Sequence, residues 1–296
     1  MRKEAAVIAP PTPPTARTSG HRRMWLIPLL VLVASACGST TPTAAPTSQP
    51  APGSAGPPSV ASTSPGSAPP ASILASVPPA VSPGPSAGGA SPIDPANFVA
   101  VVDNPWFPLI PGTVFTYRGT KDGQAAVDTF TVTSDTKVVA GVTCTVIHDR
   151  LTLDGALAET TDDWYVQDRA GNVWYFGEAT QELENGKVVN TDGSWETGVD
   201  GAQPGIFMPA QPVVGLSGVQ EVYPGQAEDH YVVLLTDAKV KVPLATYSGV
   251  LLTAEWTPLE PDVLSEKAYV KGLGEVREAD VAGGDETLAL TKVVKP

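Results

Sequence analysis

From Thr113 to the C-terminus, apolar and polar side chains alternate almost residue by residue. Phe130 and Val132 sit between Thr129, Thr131 and Thr133. Val142, Cys144 and Val146 interleave with Thr143 and Thr145, and Val250, Leu252, Ala254 and Trp256 lie opposite Thr253 and Glu255. A period of two sends successive side chains to opposite faces of a strand. Turn signals break the pattern at Asp122-Gly123, Asp154-Gly155, Asn185-Gly186 and Gly283-Gly284. Asn185-Gly186 is the strongest, because a type I′ hairpin turn needs positive φ at both central positions. A helix signal occurs at the domain's start, where Asp94-Pro95 reads as an N-cap and first-turn proline opening a short helix through Phe98 and Val101. About twelve strands with so little helix imply an antiparallel sheet large enough to curl or close. The predicted fold is all-β: a strongly curved antiparallel sheet, a half-barrel or open barrel, entered at Thr113 and ending in a meander over 247–294.

One hairpin stands out. In Asp162-Asp163-Trp164-Tyr165-Val166-Gln167-Asp168, a polar turn, then Val173-Trp174-Tyr175-Phe176-Gly177-Glu178, Trp164 and Val166 share one face and Tyr165 takes the other. On the return strand Trp174 and Phe176 oppose Val173 and Tyr175. An antiparallel hairpin with one solvated face alternates apolar and polar residues; this one is aromatic on both sides and needs a second cover. The stretch 200–209 reads as a long non-regular segment, and its Ile206, Phe207 and Met208 are predicted to cover one face. Trp164, Tyr165, Trp174, Tyr175, Phe176 and Trp195 are the candidate lining for a small apolar or lipid-like ligand held in the curve of the sheet, since aromatics offer large contact area with polar handles. Ordinary core packing is the competing reading for each.

Charge divides the chain into three. Residues 1–37 carry five Lys/Arg and one Asp/Glu, and residues 38–92 carry none of either. Arg2, Lys3, Arg17, Arg22 and Arg23 precede a short apolar run from Met24 to Ala36, well below the roughly 20 residues a membrane-spanning helix needs. Residues 1–36 therefore read as a cleaved export signal. Ala34-Ser35-Ala36-Cys37-Gly38 resembles the lipobox of bacterial lipoproteins, with Ala34 where Leu is more usual. The resemblance implies a lipid (thioether-linked, with acyl chains such as palmitate) on Cys37, which becomes the mature N-terminus and anchors the protein to the outer face of the cell membrane. His21-Arg22-Arg23-Met24-Trp25-Leu26 also resembles a twin-arginine signal, with the ordinary secretion route as the alternative. Residues 37–92, rich in Pro, Ser, Ala, Thr and Gly, lack the apolar surface to fold. As a tether they reach from about 40 Å as a flexible coil to about 170 Å as a polyproline helix. The folded domain spans 93–296. With Cys37 lipidated, Cys144 has no disulfide partner and reads as a buried small hydrophobe.

The remaining 204 residues have a formal net charge of −17. That balance excludes phosphate recognition by basic patches, so no nucleic-acid partner is expected. No His-Glu-x-x-His, Gly-x-Ser-x-Gly or phosphate-cradling motif is present, and no cofactor is expected. His148 and His230 read as strand-end histidines. Asp162, Asp163, Glu178, Asp192, Glu196 and Asp200 cluster around the hairpin. A pair of them across a cleft would suit carboxylate-dependent hydrolysis, and Asp192, Glu196 and Asp200 are candidates for Ca²⁺. Turn-shaping through side-chain hydrogen bonds is the bland alternative.

Asp163-Trp164-Tyr165, Gln167-Asp168, Gly171 to Glu178, Gly193-Ser194-Trp195-Glu196, Pro204-Gly205-Ile206 and Met208-Pro209-Ala210 together resemble an uncharacterised family of exported bacterial β-proteins. Asn104 to Leu109 and Glu255 to Glu260 extend the resemblance over nearly all of 93–296. It implies no catalytic residues. The functional expectation is a membrane-anchored extracytoplasmic β domain that binds a small apolar ligand or an envelope protein. A hydrolase of the cell envelope and a purely structural module are the alternatives.

Overall fold

The computed structural model describes residues 93–296. The export signal, Cys37 and the linker lie outside the described residues. After a 3₁₀ turn at Pro95–Asn97 come β1 (Phe98–Val99), β2 (Val114–Lys121), β3 (Gln124–Val139), β4 (Val142–Leu153), β5 (Ala156–Asp168) and β6 (Val173–Glu184). Then follow β7 (Lys187–Asn190), β8 (Trp195–Glu196), β9 (Gln203–Met208), β10 (Ser217–Val219) and β11 (Glu221–Val222). The chain closes with β12 (His230–Lys241), β13 (Thr246–Trp256), β14 (Leu264–Val270), β15 (Gly274–Ala282) and β16 (Thr287–Val294).

These strands form one antiparallel sheet in the order β10-β12-β13-β14-β15-β16-β2-β3-β4-β5-β6-β9-β11. The two ends of that path, β10 and β11, are successive pieces of one segment, 217–222. Its first half pairs with β12 (Ser217↔Val232, Val219↔His230) and its second half with β9 (Glu221↔Pro204, Val222↔Gln203). The sheet is thus a barrel, closed except for a seam between β9 and β10. Asp122-Gly123, Asp154-Gly155 and Asn185-Gly186 all have positive φ at both positions, as two-residue hairpins require. Ala140-Gly141 does the same without an obvious sequence signal.

The expected helix after Asp94 is a single 3₁₀ turn. Asp94 Oδ1 accepts from Ala96 N, but Phe98 is already extended, drawn into a ladder with β5 (Phe98↔Asp168, Val99↔Gln167). The stretch 200–209 is not irregular either: most of it is β9, paired with both β6 and β11.

The barrel has unlike ends. One is floored by the segment 100–112, which lays Trp106, Phe107 and Leu109 into the core and hydrogen-bonds to the barrel through Gly272 N→Pro105 O (2.7 Å) and Gly112 N→Val132 O (2.8 Å). The β12–β13 tip leans across the same end, where Leu244 N donates to Leu290 O on β16 (3.2 Å). Asn104 fixes the floor to the aromatic hairpin: its Nδ2 donates to Gly171 O and Pro209 O, and Gln167 Oε1 accepts from its backbone N–H (2.7 Å). The opposite end, where β2 meets β3, β4 meets β5, and β13 meets β14, is lined by acids.

Candidate functional site

The hairpin β5–β6 is covered on both faces by its own chain. Inside the barrel Tyr165 and Tyr175 stack (4.6 Å, 13°), and Phe207 of β9 and Phe107 of the floor close on Tyr165 at 5.0 and 5.2 Å. Trp195 meets Tyr175 edge-on at 5.5 Å, and its Nε1 donates to Glu221 Oε1. Outside, Trp164, Val166 and Phe176 form a second cluster with Val139, Val142, Cys144 and Val146, capped by Ile93 and Phe98. Phe98 meets Phe176 and Trp174 edge-on at 5.3 and 6.2 Å. Lys137 Nζ lies over the Trp164 ring and pairs with Glu196 at 2.8 Å. Five of the six aromatic candidates are buried. Trp174 is half-buried, with its Nε1 donating to Asp168. The two-sided aromatic character is therefore satisfied by packing. Phe207 does cover the inner face as expected, but the outer cover is the segment 93–99, a 3₁₀ turn leading into β1.

The alternation of β6 slips at Gly177. Trp174 and Phe176 face out with Trp164, yet both Tyr175 and Glu178 face in, because the pairing shifts between Asp163↔Glu178 and Tyr165↔Tyr175. Gly177 takes φ +135° there, a β-bulge that re-aims the side chains beyond it. Its consequence is a three-way contact. Tyr175 Oη donates to Asp163 Oδ1 at 2.5 Å and stands 3.1 Å from Glu178 Oε2.

That contact belongs to an acid-lined interior. Asp128 of β3 shares the inward face with Phe130 and Val132, and Asp149 of β4 shares it with Ile147 and Leu151. Burial pushes the carboxyls of Asp128 and Asp149 upward, as does their mutual proximity for Asp128. Burial and then the neighbouring Glu178 push Asp163 up. Glu255 of β13 and Glu275 of β15 are raised chiefly by burial as well. Among them Lys267 of β14 stands 3.5 Å from Glu255 and 3.4 Å from Glu278. Burial works against its charge, but these two acids hold its ammonium protonated beyond the usual lysine range.

Two cavities flank this group. A lower one of about 140 Å³ lies against the floor, between Phe107, Phe115, Phe130, Tyr165 and Phe207 on one side and Asp128, Asp149, Asp163 and Glu275 on the other. An upper one of about 860 Å³ forms the mouth, lined by Glu159, Glu178, Glu182, Asp229, Glu255, Asp280 and Glu286 among others, with Trp256 on the rim. Lys267 and Glu278 line both. Lys121 and Lys267 are the basic residues of the mouth lining, against a large excess of carboxylates. At the rim burial pushes Glu286 up to about 7, with Lys121 at 2.7 Å pulling the other way.

The sequence-predicted acids separate. Asp163 and Glu178 converge on Tyr175 inside the barrel. Asp162 is outside, 2.7 Å from His148 Nδ1 and 3.3 Å from Arg150; neither of the two cavities described above includes this pair. His230 begins β12 as expected and stacks on Trp256 at 5.6 Å. Asp192, Glu196 and Asp200 do not form the proposed cation site. Glu196 is held by Lys137, Asp192 N donates to Asn190 Oδ1, and Asp200 sits at φ +50° in a turn with Gly201. Among the described residues no three His, Cys, Asp or Glu side chains are placed to hold a metal. Cys144 is buried, and burial pushes its thiol up to about 12. Asp128, Asp149, Glu255, Lys267, Glu275 and Glu278 were missed. The available signal was parity for two of them: Asp128 falls in step with Phe130 and Val132, and Asp149 with Ile147 and Leu151, whereas Glu255 lies opposite the Val250, Leu252, Ala254 and Trp256 row.

Fold and site together define an antiparallel β-barrel domain with an aromatic floor and an acidic mouth. No family model matches the chain, and no curated protein matches its sequence. A solved structure of a candidate lipoprotein from Parabacteroides distasonis is similar, at 12% identity and TM-score 0.35, over 64% of this chain and 97% of that one. A likeness at that score carries no argument about function. Among the described residues no helix is long and apolar enough to cross a membrane.

Proposed function

We propose that the protein is a lipid-tethered extracytoplasmic binding domain that takes a small organic polycation into the mouth of its barrel. The tether rests on the lipobox-like stretch ending at Cys37 and the uncharged linker behind it. The ligand class rests on one observation: an 860 Å³ cavity lined by carboxylates with two lysines among them. Ligand pockets fall at about 300–1,000 Å³, and carboxylates spread over such a volume suit several separated positive charges better than one metal ion. An apolar ligand is less well supported, because the aromatics that would hold it are occupied with one another.

Spermine is a suitable probe. Calorimetry on the full-length protein in detergent should show saturable binding that weakens as salt is raised, since charges at an open mouth are screened. Absence of spermine binding at low salt, with a neutral lipid copurifying instead, would return the function to an apolar carrier.

A hydrolase is the second reading, favoured by the carboxyl pairs Asp163–Glu178 and Asp128–Asp149. General acid–base catalysis needs such groups within reach of a substrate. Asp128, Asp149 and Asp163 line the lower cavity, whose volume of about 140 Å³ has no room for a glycan, so binding is the better supported activity.

A further inference from the structure

The two ends of the barrel carry connections of opposite chemistry. Around the mouth the strands reverse at Asp122-Gly123, Asp154-Gly155 and Gly283-Gly284-Asp285, residue types that suit a solvated turn. At the floor end the connections expose apolar side chains instead. Val101 and Ile110 lie in the floor segment, Val213 and Val214 between β9 and β10, and Leu244 at the β12–β13 tip. Val101, Val213 and Val214 are 64%, 60% and 62% exposed. The exposed apolar residues toward the mouth, Leu157, Val188, Val189 and Val281, lie within strands, where alternation turns every second side chain outward whatever its type. No such rule puts apolar residues in the floor connections.

Those connections are tied to one another. Leu109 N donates to Val102 O (2.9 Å), which brings Val101 and Ile110 together. Asn104 joins the same segment to Pro209, at the start of the loop that carries Val213 and Val214. Leu244 N is held on Leu290 O across the same end. Exposed apolar groups gathered in this way mark an interaction surface.

Two further observations select what it meets. The described chain begins at this end: Arg169 donates from its backbone N and its Nε to the carbonyls of Asn97 and Ala96, so the linker joins the barrel beside the hairpin turn. Charge is the second. Arg169, Lys239, Lys241, Lys271 and Lys295 are exposed at the floor end, offset by Asp94, Asp103, Asp168 and Asp237. This end is therefore close to neutral, whereas carboxylates dominate the mouth lining. An anionic surface repels the mouth far more strongly than the floor.

We propose that the floor end docks on the lipid bilayer to which the chain is tethered, seating Val101, Ile110, Val213, Val214 and Leu244 among the headgroups and turning the mouth to solvent. The docking rests on the proposed lipid anchor at Cys37 and is independent of what the mouth binds. A few apolar side chains hold a bilayer only weakly by themselves. The tether keeps the barrel at high effective concentration beside the surface, so weak contacts suffice to orient it.

The test is nitroxide accessibility on the full-length protein in vesicles of phosphatidylcholine and phosphatidylglycerol. The label is placed through Val214→Cys at the floor or, as reference, through Asp285→Cys at the mouth; Cys144 is buried and a lipid-capped Cys37 does not react. Collisions with a water-soluble nickel complex should be several times rarer at position 214 than at 285, and collisions with oxygen, which concentrates in the bilayer, more frequent. Equal nickel access at both positions means that the barrel hangs free on its linker and overturns the docking. Shielding of position 214 from both reagents, with spin–spin broadening between copies, means that a second chain covers the floor and also overturns it. Both outcomes leave the anchor standing. Vesicles that float without the protein overturn the anchor and the docking with it. In the Val213→Asp/Val214→Asp variant, a label placed through Ile110→Cys should regain nickel access while the protein still floats and keeps its thermal midpoint, since both valines are exposed. Continued immersion of that label overturns the assignment to these residues.

Discussion

Gly177 carries the barrel's interior chemistry without contributing a side chain. A Cβ at that position would lie 2.3 Å from the Trp195 carbonyl oxygen and 3.0 Å from the Trp164 ring, and φ +135° is a region that L side chains avoid. Gly177→Ala should therefore cost at least about 3 kcal/mol, combining backbone strain with a clash against main chain, and chemical denaturation would measure it. Tyr175 depends on that bulge. Tyr175→Phe removes the donor between buried Asp163 and half-buried Glu178 and should cost about 1–3 kcal/mol. Asp168 shows a carboxyl used the other way. Burial would raise it, but hydrogen bonds from Asn172 and Trp174 hold it below the usual carboxylate range, which fixes the hairpin turn.

Among the elements, the short strand β1 matters more than its two residues suggest. It brings Phe98 onto Phe176 and Trp174 and seals the outer side of β5–β6. Aromatic pairs contribute about 0.5–1.5 kcal/mol each beyond the area they bury. Phe98→Ala should cost about 2–4 kcal/mol and make Trp174 accessible to fluorescence quenchers, whereas Tyr165 and Tyr175, on the inner side, should stay protected. The floor segment acts similarly from below. Asn104 carries its clamp through backbone groups of both the hairpin turn and Pro209, so the floor, the hairpin and β9 form one unit.

Across the whole molecule, two features follow from closing a sheet around acids. The seam is held by the segment 217–222, and Gly205 of β9 presses against it: a Cβ there would meet the carbonyl oxygens of Val219 and Gln220 at 2.2 and 2.5 Å. Gly205→Ala should force the seam apart, read as faster hydrogen exchange in β9 and in 217–222 with β3–β5 unchanged. The second feature is pH dependence. Asp128, Asp149, Asp163, Glu255 and Glu275 all hold protons more tightly in the barrel than in the unfolded chain, and burial raises Glu286 to about 7. The folded state thus binds more protons than the unfolded one, and stability falls as pH rises. This stabilisation is complete below the ordinary carboxylate range near pH 4 and, for Glu286, is lost as pH passes about 7. Asp168 has the reverse sign and matters only below that range. The thermal midpoint should be higher near pH 5 than near pH 8, by about 2–4 °C for each kcal/mol involved.

Strand identity was legible along the chain because period-two alternation and Asp-Gly or Asn-Gly turns are local properties. Those signals placed Trp164, Phe176 and Tyr165 on their correct faces before any coordinates. Local rules also marked the burial of Cys144. They could not place Glu178 inside, because the bulge at Gly177 is set by contact with Trp195 and Trp164 from other strands. They did not show that 217–222 would join both sheet edges, or that the segment 93–99 would cover the outer aromatics. The acid interior arose in the same way. Asp128 and Asp149 are each one polar residue in an apolar row when their strands are read alone, and only the closed barrel turns those rows toward a common axis, where burial pushes their carboxyls toward the protonated form.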